Sequence, residues 1–203
     1  MREPLAIEIA SEIPVGCGCG SSTADCVAAV RAVADWAGRQ VHPEEIAAIV
    51  HEAELACDPT MFGDEPVAFL PRAGRVLRRF AGRWPAIDVK VVNLGGPPVD
   101  TEACPVPRYT EDELDEFEQL LQLTAAGFEA GDGAKLARVA IRSAEIHLRY
   151  RPNAALRELC EHSVEKGAWG VAIAHSGTIA VVLNKPVAVA EEADIVHFVS
   201  RRG

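Results

Sequence analysis

The stretch that decides the fold is Pro14-Val15-Gly16-Cys17-Gly18-Cys19-Gly20-Ser21-Ser22-Thr23-Ala24-Asp25. Gly16, Gly18 and Gly20 stand at every second position, where they permit positive φ and a close approach of backbone to a ligand. Before them, Leu5, Ile7 and Ile9 alternate with Ala6, Glu8 and Ala10, the period of a strand with one buried face, and the run stops at Pro14. After them the apolar spacing becomes helical: Val27, Val30, Val33 and Ala34 share one face of a helix over about 22–37, closed by Gly38. Strand, glycine loop and helix in that order form a phosphate site, because the orphan N–H groups of the first helical turn point at the ligand and the helix dipole favours negative charge there. Ser21, Ser22 and Thr23 strengthen the reading, since a hydroxyl at that turn can also ligate Mg²⁺. A plain cap is the alternative for any one of them, and a glycine turn that merely joins strand to helix is the alternative for the loop. The spacing fits neither the Walker A nor the dinucleotide-binding pattern.

Outward from the loop, Pro43 suits a first-turn position, with Glu44 and Glu45 at the positive end of the dipole, so a second helix is predicted over 43–56. Ile46, Ile49, Val50 and Ala53 form its expected buried stripe. Cys57-Asp58-Pro59-Thr60 breaks it, because the residue before a proline avoids the helical region. Strands are predicted over 67–70, over 75–80 across the Pro71-Arg72-Ala73-Gly74 turn, and over 87–94 before Gly95-Gly96-Pro97-Pro98. Thr110 and Glu113 have the spacing of a capping box and open a helix over 111–130. Gly131-Asp132-Gly133 separates it from a helix running to about 148, and Asn153 caps a third over 154–166, closed by Gly167. Strands over 171–174 and 178–183 join through His175-Ser176-Gly177, with a last strand near 195–199. The order is mixed α+β with no internal repeat.

The 203 residues suffice for a sizeable core, and 49% hydrophobic with 25% charged residues is an ordinary globular balance. A formal charge of −10 argues against nucleic acid and against anionic membrane surfaces as partners, while leaving room for a local anion site at one helix terminus. No apolar run is long enough to span a bilayer, and Arg2, Glu3 and Glu8 stand where a signal peptide would be apolar, so a cytoplasmic location is expected. The six cysteines have no regular framework spacing, which fits reduced thiols. Cys17, Cys19, Cys26, Cys57 and His51 are donor types for zinc, but their spacing departs from structural zinc motifs.

The Pro14–Asp25 stretch resembles the phosphate-binding motif of the GHMP small-molecule kinases, and its Ser-Ser-Thr-Ala-Asp variant is similar to that of the L-threonine kinases of cobalamin synthesis. Two further blocks agree in order. Asp58-Pro59-Thr60-Met61-Phe62 resembles the segment carrying a catalytic aspartate, and Ala174-His175-Ser176-Gly177-Thr178 resembles the C-terminal glycine-containing motif. The resemblance spans residues 7 to about 184. It implies an α+β, GHMP kinase-like two-layer fold, N-terminally shortened, with a ferredoxin-like C-terminal half. Residues 1–66 would be a remnant of the N-terminal domain bearing the phosphate loop, and residues 67–203 the C-terminal domain. The chain departs from the family in having Cys17 where Lys is usual, and in lacking the family's preceding N-terminal region.

For the site, the resemblance implies ATP held by Gly16, Gly18, Gly20, Ser21, Ser22 and Thr23, with Ser22 on Mg²⁺. Thr60, Asp100, Thr101, His175, Ser176 and Gly177 would face a small-molecule substrate. Asp58 is the expected catalytic residue, since a carboxylate on a loop facing the phosphates can accept the proton of an attacking hydroxyl or hold it in line; an Asp-Pro turn is the plain alternative. Glu54, one turn earlier, could help place Mg²⁺, but a solvated helix face is the role expected of it. The implied activity is ATP-dependent phosphorylation of a small hydroxyl-bearing metabolite, with L-threonine going to L-threonine O-3-phosphate. The alternatives are a kinase-derived module without catalysis that binds a ligand or partner, or one half of a split kinase. An open edge beside residues 5–12 further predicts a second polypeptide, either another copy in a homodimer or a separate N-terminal partner chain.

Overall fold

A computed structural model describes residues 5–16, 18–96, 107–174 and 178–186. The chain divides into two compact units, Met1–Arg79 and Phe80–Gly203. In the first, helix α1 (Ser21–Trp36) packs on helix α2 (Pro43–Glu54), followed by a 3-10 turn at Pro59–Phe62 and a hairpin of β1 (Val67–Leu70) and β2 (Arg75–Arg79). The hairpin is antiparallel from Val67↔Arg79 to Leu70↔Arg75, with a register irregularity between Ala68 and Phe69. Val27 of α1, Ile46, Ala47 and Val50 of α2, and Cys57, Met61 and Phe62 after it form one buried cluster. Apolar residues three and four apart on two helices produce such a seam.

In the second unit, β3 (Asp88–Asn93), β4 (Gly170–Ile173) and β5 (Ile179–Asn184) form an antiparallel sheet in the order β3-β5-β4. Helices α3 (Glu111–Ala130), α4 (Gly133–Tyr150) and α5 (Ala154–Glu165) lie between β3 and β4 in sequence. Helix α4 contacts both β4 and α3. Ala144, Leu148, Leu156, Cys160, Val171, Ala180 and Val182 fill this core. Gly170 lets the layers meet closely: a Cβ there would lie 2.2 Å from the Ala137 carbonyl oxygen. The mixed helix-and-sheet architecture is the α+β fold that the element order predicts.

The helix boundaries follow their caps. The Thr110 hydroxyl accepts from the Glu113 N–H at 3.2 Å while the Glu113 carboxylate accepts from the Thr110 N–H at 2.9 Å. Asp132 caps α4 through the Lys135 N–H, and Asn153 caps α5 through the Leu156 N–H.

Two expectations are corrected. Residues 5–12 form no strand, and Leu5, Ile7 and Ile9 are 43%, 53% and 61% exposed. An alternating pattern supplies one face but not a neighbouring backbone, and no strand among the described residues pairs with it. Ile49 and Ala53 are exposed rather than part of the expected buried stripe, because the α1–α2 seam is narrow and centres on Val27, Ile46, Ala47 and Val50. The strand expected near 195–199 lies outside the described residues. No helix among them is long and apolar enough to cross a membrane.

Candidate functional site

The site is built at the N-terminus of α1. Gly20 is the N-cap residue, with φ 67° and ψ 26°, a left-handed conformation that an L side chain enters only at a cost. Gly16 and Gly18 also have positive φ. Gly20 offers no side chain to cap the helix, and the first turn contains no acidic residue. Helices α3, α4 and α5 are each capped by a side-chain oxygen. Helix α1 thus presents its N–H groups and the positive end of its dipole without an N-cap acceptor of its own.

What faces that turn comes from the end of α2. Leu55 closes α2 in a left-handed conformation at φ 59°, and the chain then returns toward α1. The Cys57 N–H donates to the Pro71 carbonyl at 3.2 Å, which ties the returning segment to the hairpin turn. Asp58 ends up beside the glycine loop, where a Cβ added at Gly20 would lie 2.8 Å from Asp58 Oδ2. A side chain at position 20 would therefore occupy the space of the Asp58 carboxylate.

The hydroxyls connect both acids to the helix. Ser22 Oγ donates to Glu54 Oε1, and Thr23 Oγ1 donates to Glu54 Oε2 at 2.9 Å. Thr23 Oγ1 also accepts from the Asp58 N–H at 3.3 Å. Ser22 is exposed, while Ser21 and Thr23 are 8% and 4% exposed. Of the three consecutive hydroxyls, Ser22 is the one a ligand in solvent can reach.

Two thiols flank the carboxylates. Burial, then the Glu54 and Asp58 charges, pushes the Cys57 thiol up to about 11. Burial, then the Glu54 and Asp25 charges, also raises the Cys26 thiol. Such thiols stay protonated at neutral pH and are poor nucleophiles. The available donors are hard oxygens, from Ser22, Glu54 and Asp58. No group of three or more His, Cys, Asp or Glu side chains arranged to hold a metal occurs among the described residues. Hydroxyl and carboxylate oxygens in that small number fit Mg²⁺, which takes one or two carboxylates and completes its shell with waters and phosphate oxygens.

The structure brings together Gly20, Ser22, Thr23 and Asp58 of the expected site. Thr60 is exposed on the 3-10 turn that Asp58 precedes. Cys17, Asp100, Thr101, His175, Ser176 and Gly177 lie outside the described residues. Glu54 is the correction: it is half-buried, holds two hydroxyls of α1, and does not lie on a solvated face. One signal in the sequence pointed to it, a carboxylate in the last turn of a helix, where the dipole disfavours negative charge.

Comparison with known proteins bears on the N-terminal residues and on the fold. Residues 1–70 match the family model of the GHMP kinases N terminal domain. Over 65 residues the chain is 40% identical to the mevalonate kinase of Thermococcus sibiricus, covering 32% of this chain and 20% of that protein. It is also 40% identical over 65 residues to the mevalonate kinase of Pyrococcus horikoshii, with 32% and 19% covered. The matched stretch thus spans about a fifth of these curated relatives. Among solved structures, the mevalonate kinase from methicillin-resistant Staphylococcus aureus superposes with a TM-score of 0.58 at 21% identity, over 87% of this chain and 61% of that one. The homoserine kinase from Cytophaga hutchinsonii gives 0.57 at 15% identity, over 86% and 58%. Residues 1–70 thus match the GHMP kinases N terminal domain in sequence, and over most of the chain the α+β fold is shared with the solved mevalonate and homoserine kinases.

Proposed function

We propose that the chain takes part in ATP-dependent phosphorylation of a small hydroxyl-bearing metabolite. The observation that carries this reading is the convergence of Ser22, Glu54 and Asp58 on the Gly20 N-terminus of α1. The N–H groups of the first turn suit phosphate oxygens, and Ser22 with Glu54 would hold Mg²⁺. Mg²⁺, when bound, neutralises charge on the transferring phosphoryl group. Asp58 orients the acceptor hydroxyl and takes its proton as the new O–P bond forms and the bond to the ADP oxygen breaks. The glycine loop excludes side-chain bulk beside that carboxylate.

L-Threonine is the acceptor we infer, supported by the Ser21-Ser22-Thr23-Ala24-Asp25 resemblance. The homoserine kinase likeness in fold is consistent with it, because homoserine is a constitutional isomer of threonine. A second reading, a binding module without catalysis or half of a split kinase, draws on coverage: the chain matches 58–61% of the neighbouring kinase chains. We propose in addition that a second polypeptide, in a homodimer or as a separate partner, covers the exposed Leu5, Ile7, Ile9 and Val15.

The test is thermal. A ligand at 100-fold its Kd stabilises the folded state by about 2.7 kcal/mol, so millimolar ATP with Mg²⁺ should raise Tm, and threonine should be consumed with ADP formed. Absence of a shift, together with Ser22→Ala behaving like the unaltered chain, rules out the nucleotide site. A shift without phosphothreonine supports the second reading.

A further inference from the structure

We infer that Thr23 is a positioning residue which holds Glu54 and Asp58 in register with the phosphate loop, rather than a contact to the nucleotide. The inference rests on the kinase reading of the site and adds to it a residue with a distinct task. A threonine hydroxyl has a single proton, and here it points at Glu54 Oε2 at 2.9 Å. Its lone pairs face the Asp58 N–H at 3.3 Å. At 4% exposure the side chain has no open path to a ligand, whereas Ser22 next to it is exposed. One buried hydroxyl therefore links three separate pieces of chain: the first turn of α1, the last turn of α2, and the loop that begins the 3-10 turn at Pro59–Phe62.

The linkage has a chemical use. Glu54 is held through both oxygens, by Ser22 at the surface and by Thr23 from beneath. Glu54 is thus aimed from below whether or not a cation is present. The Asp58 backbone is fixed at its amide by the same oxygen, which sets where its carboxylate emerges beside Gly20. Asp58 lies outside helix and strand, just before the 3-10 turn, and the Thr23 hydroxyl supplies the acceptor for its amide. Thr23 is buried, as Val27 one turn on is, and valine is a near-isosteric replacement that deletes only the hydroxyl.

Thr23→Val and Thr23→Ser separate the hydroxyl from the shape. The Val variant should keep its melting temperature within a few degrees, lose protection of the Asp58 amide against hydrogen exchange, and show a smaller gain in ATP affinity on adding Mg²⁺ than the unaltered chain. Turnover should fall by about 10²-fold in kcat with KM for the acceptor little changed, the loss typical of a misplaced catalytic group. The Ser variant should restore all three readouts. Unchanged Asp58 amide exchange in Thr23→Val, or a Val variant with full turnover and full Mg²⁺ dependence, would overturn the assignment. A Val variant that unfolds is resolved by the Ser variant, which retains the hydroxyl on a smaller side chain: loss of function there as well would show that packing, not the hydroxyl, is what position 23 supplies. If the unaltered chain neither binds nor turns over ATP, the kinase reading fails, while the amide-exchange comparison still decides whether Thr23 fixes the Asp58 loop.

Discussion

Replacing Gly20 by alanine tests the site against an internal control. Gly20 and Gly38 stand at opposite ends of α1 with nearly equal backbones, φ 67° and φ 65°. Alanine at either should cost about 1–2 kcal/mol for the left-handed conformation, which for a chain of this size lowers Tm by roughly 2–4 °C per kcal/mol. The surroundings differ. A Cβ at Gly38 meets nothing within 4 Å, whereas at Gly20 it lies 2.8 Å from Asp58 Oδ2. Ordinary contact begins at 3.4 Å, so the carboxylate must retreat by about 0.6 Å or rotate away. Since a misplacement of about 1 Å can cost 10²-fold in rate, Gly20→Ala should lose about 10- to 10²-fold in kcat while Gly38→Ala keeps its turnover. Urea denaturation reads the shared backbone cost, and steady-state ADP release reads the difference. Two variants equally destabilised and equally active would refute the placement of Asp58 in the chemistry, because the crowding at Gly20 would then have displaced nothing that matters.

Three further outcomes are expected. Asp58→Asn should keep the fold and nucleotide affinity while losing about 10²- to 10⁴-fold in turnover, and an unimpaired Asn variant in a phosphate-release assay would remove Asp58 from the mechanism. Glu113 is held down to about 2, first by the Tyr150 hydroxyl and then by the Thr110 N–H, with Arg149 adding to both; its stabilisation is complete above the ordinary carboxylate value of 4.5 and is lost as pH falls from there toward 2. Acid unfolding followed by circular dichroism should accordingly be less steep over that window in Glu113→Gln, and identical profiles would contradict the pairing. Sedimentation at micromolar concentration should show association that Ile7→Ser and Ile9→Ser weaken, and a clean monomer would argue against a polypeptide covering that run.

Most elements were legible because their boundaries are local. Thr110 and Glu113, Asp132 and Asn153 place helix starts through hydrogen bonds that span three residues, and those bonds are present in the structure. The two β-strands of the first unit and the three of the second likewise fall between glycine and proline punctuation. The run at residues 5–12 was misread for the opposite reason. Alternation states which face a strand would bury, but pairing needs a second backbone, and a partner strand leaves no trace in the sequence of the first. Ile49 shows the same limit on a helix: the pattern gives a stripe, and only the neighbour decides how wide the buried part of it is.

The loop and Asp58 were legible, and the part that Glu54 plays was not. Glycines and hydroxyls at a strand-to-helix junction announce their own geometry, while Glu54 acquires meaning only once Leu55 turns the chain and α2 packs against α1. Its position then poses an electrostatic problem. Glu54 and Asp58 sit beside a helix N-terminus suited to an anion, so a bound triphosphate would meet two carboxylates as well as the N–H groups that attract it. A divalent cation between phosphate and carboxylate converts that repulsion into attraction, and without one the two acids weaken binding. Nucleotide affinity at this site should therefore depend on Mg²⁺ more steeply in the unaltered chain than in Glu54→Gln, in which removing the charge lessens both the repulsion and the cation's hold.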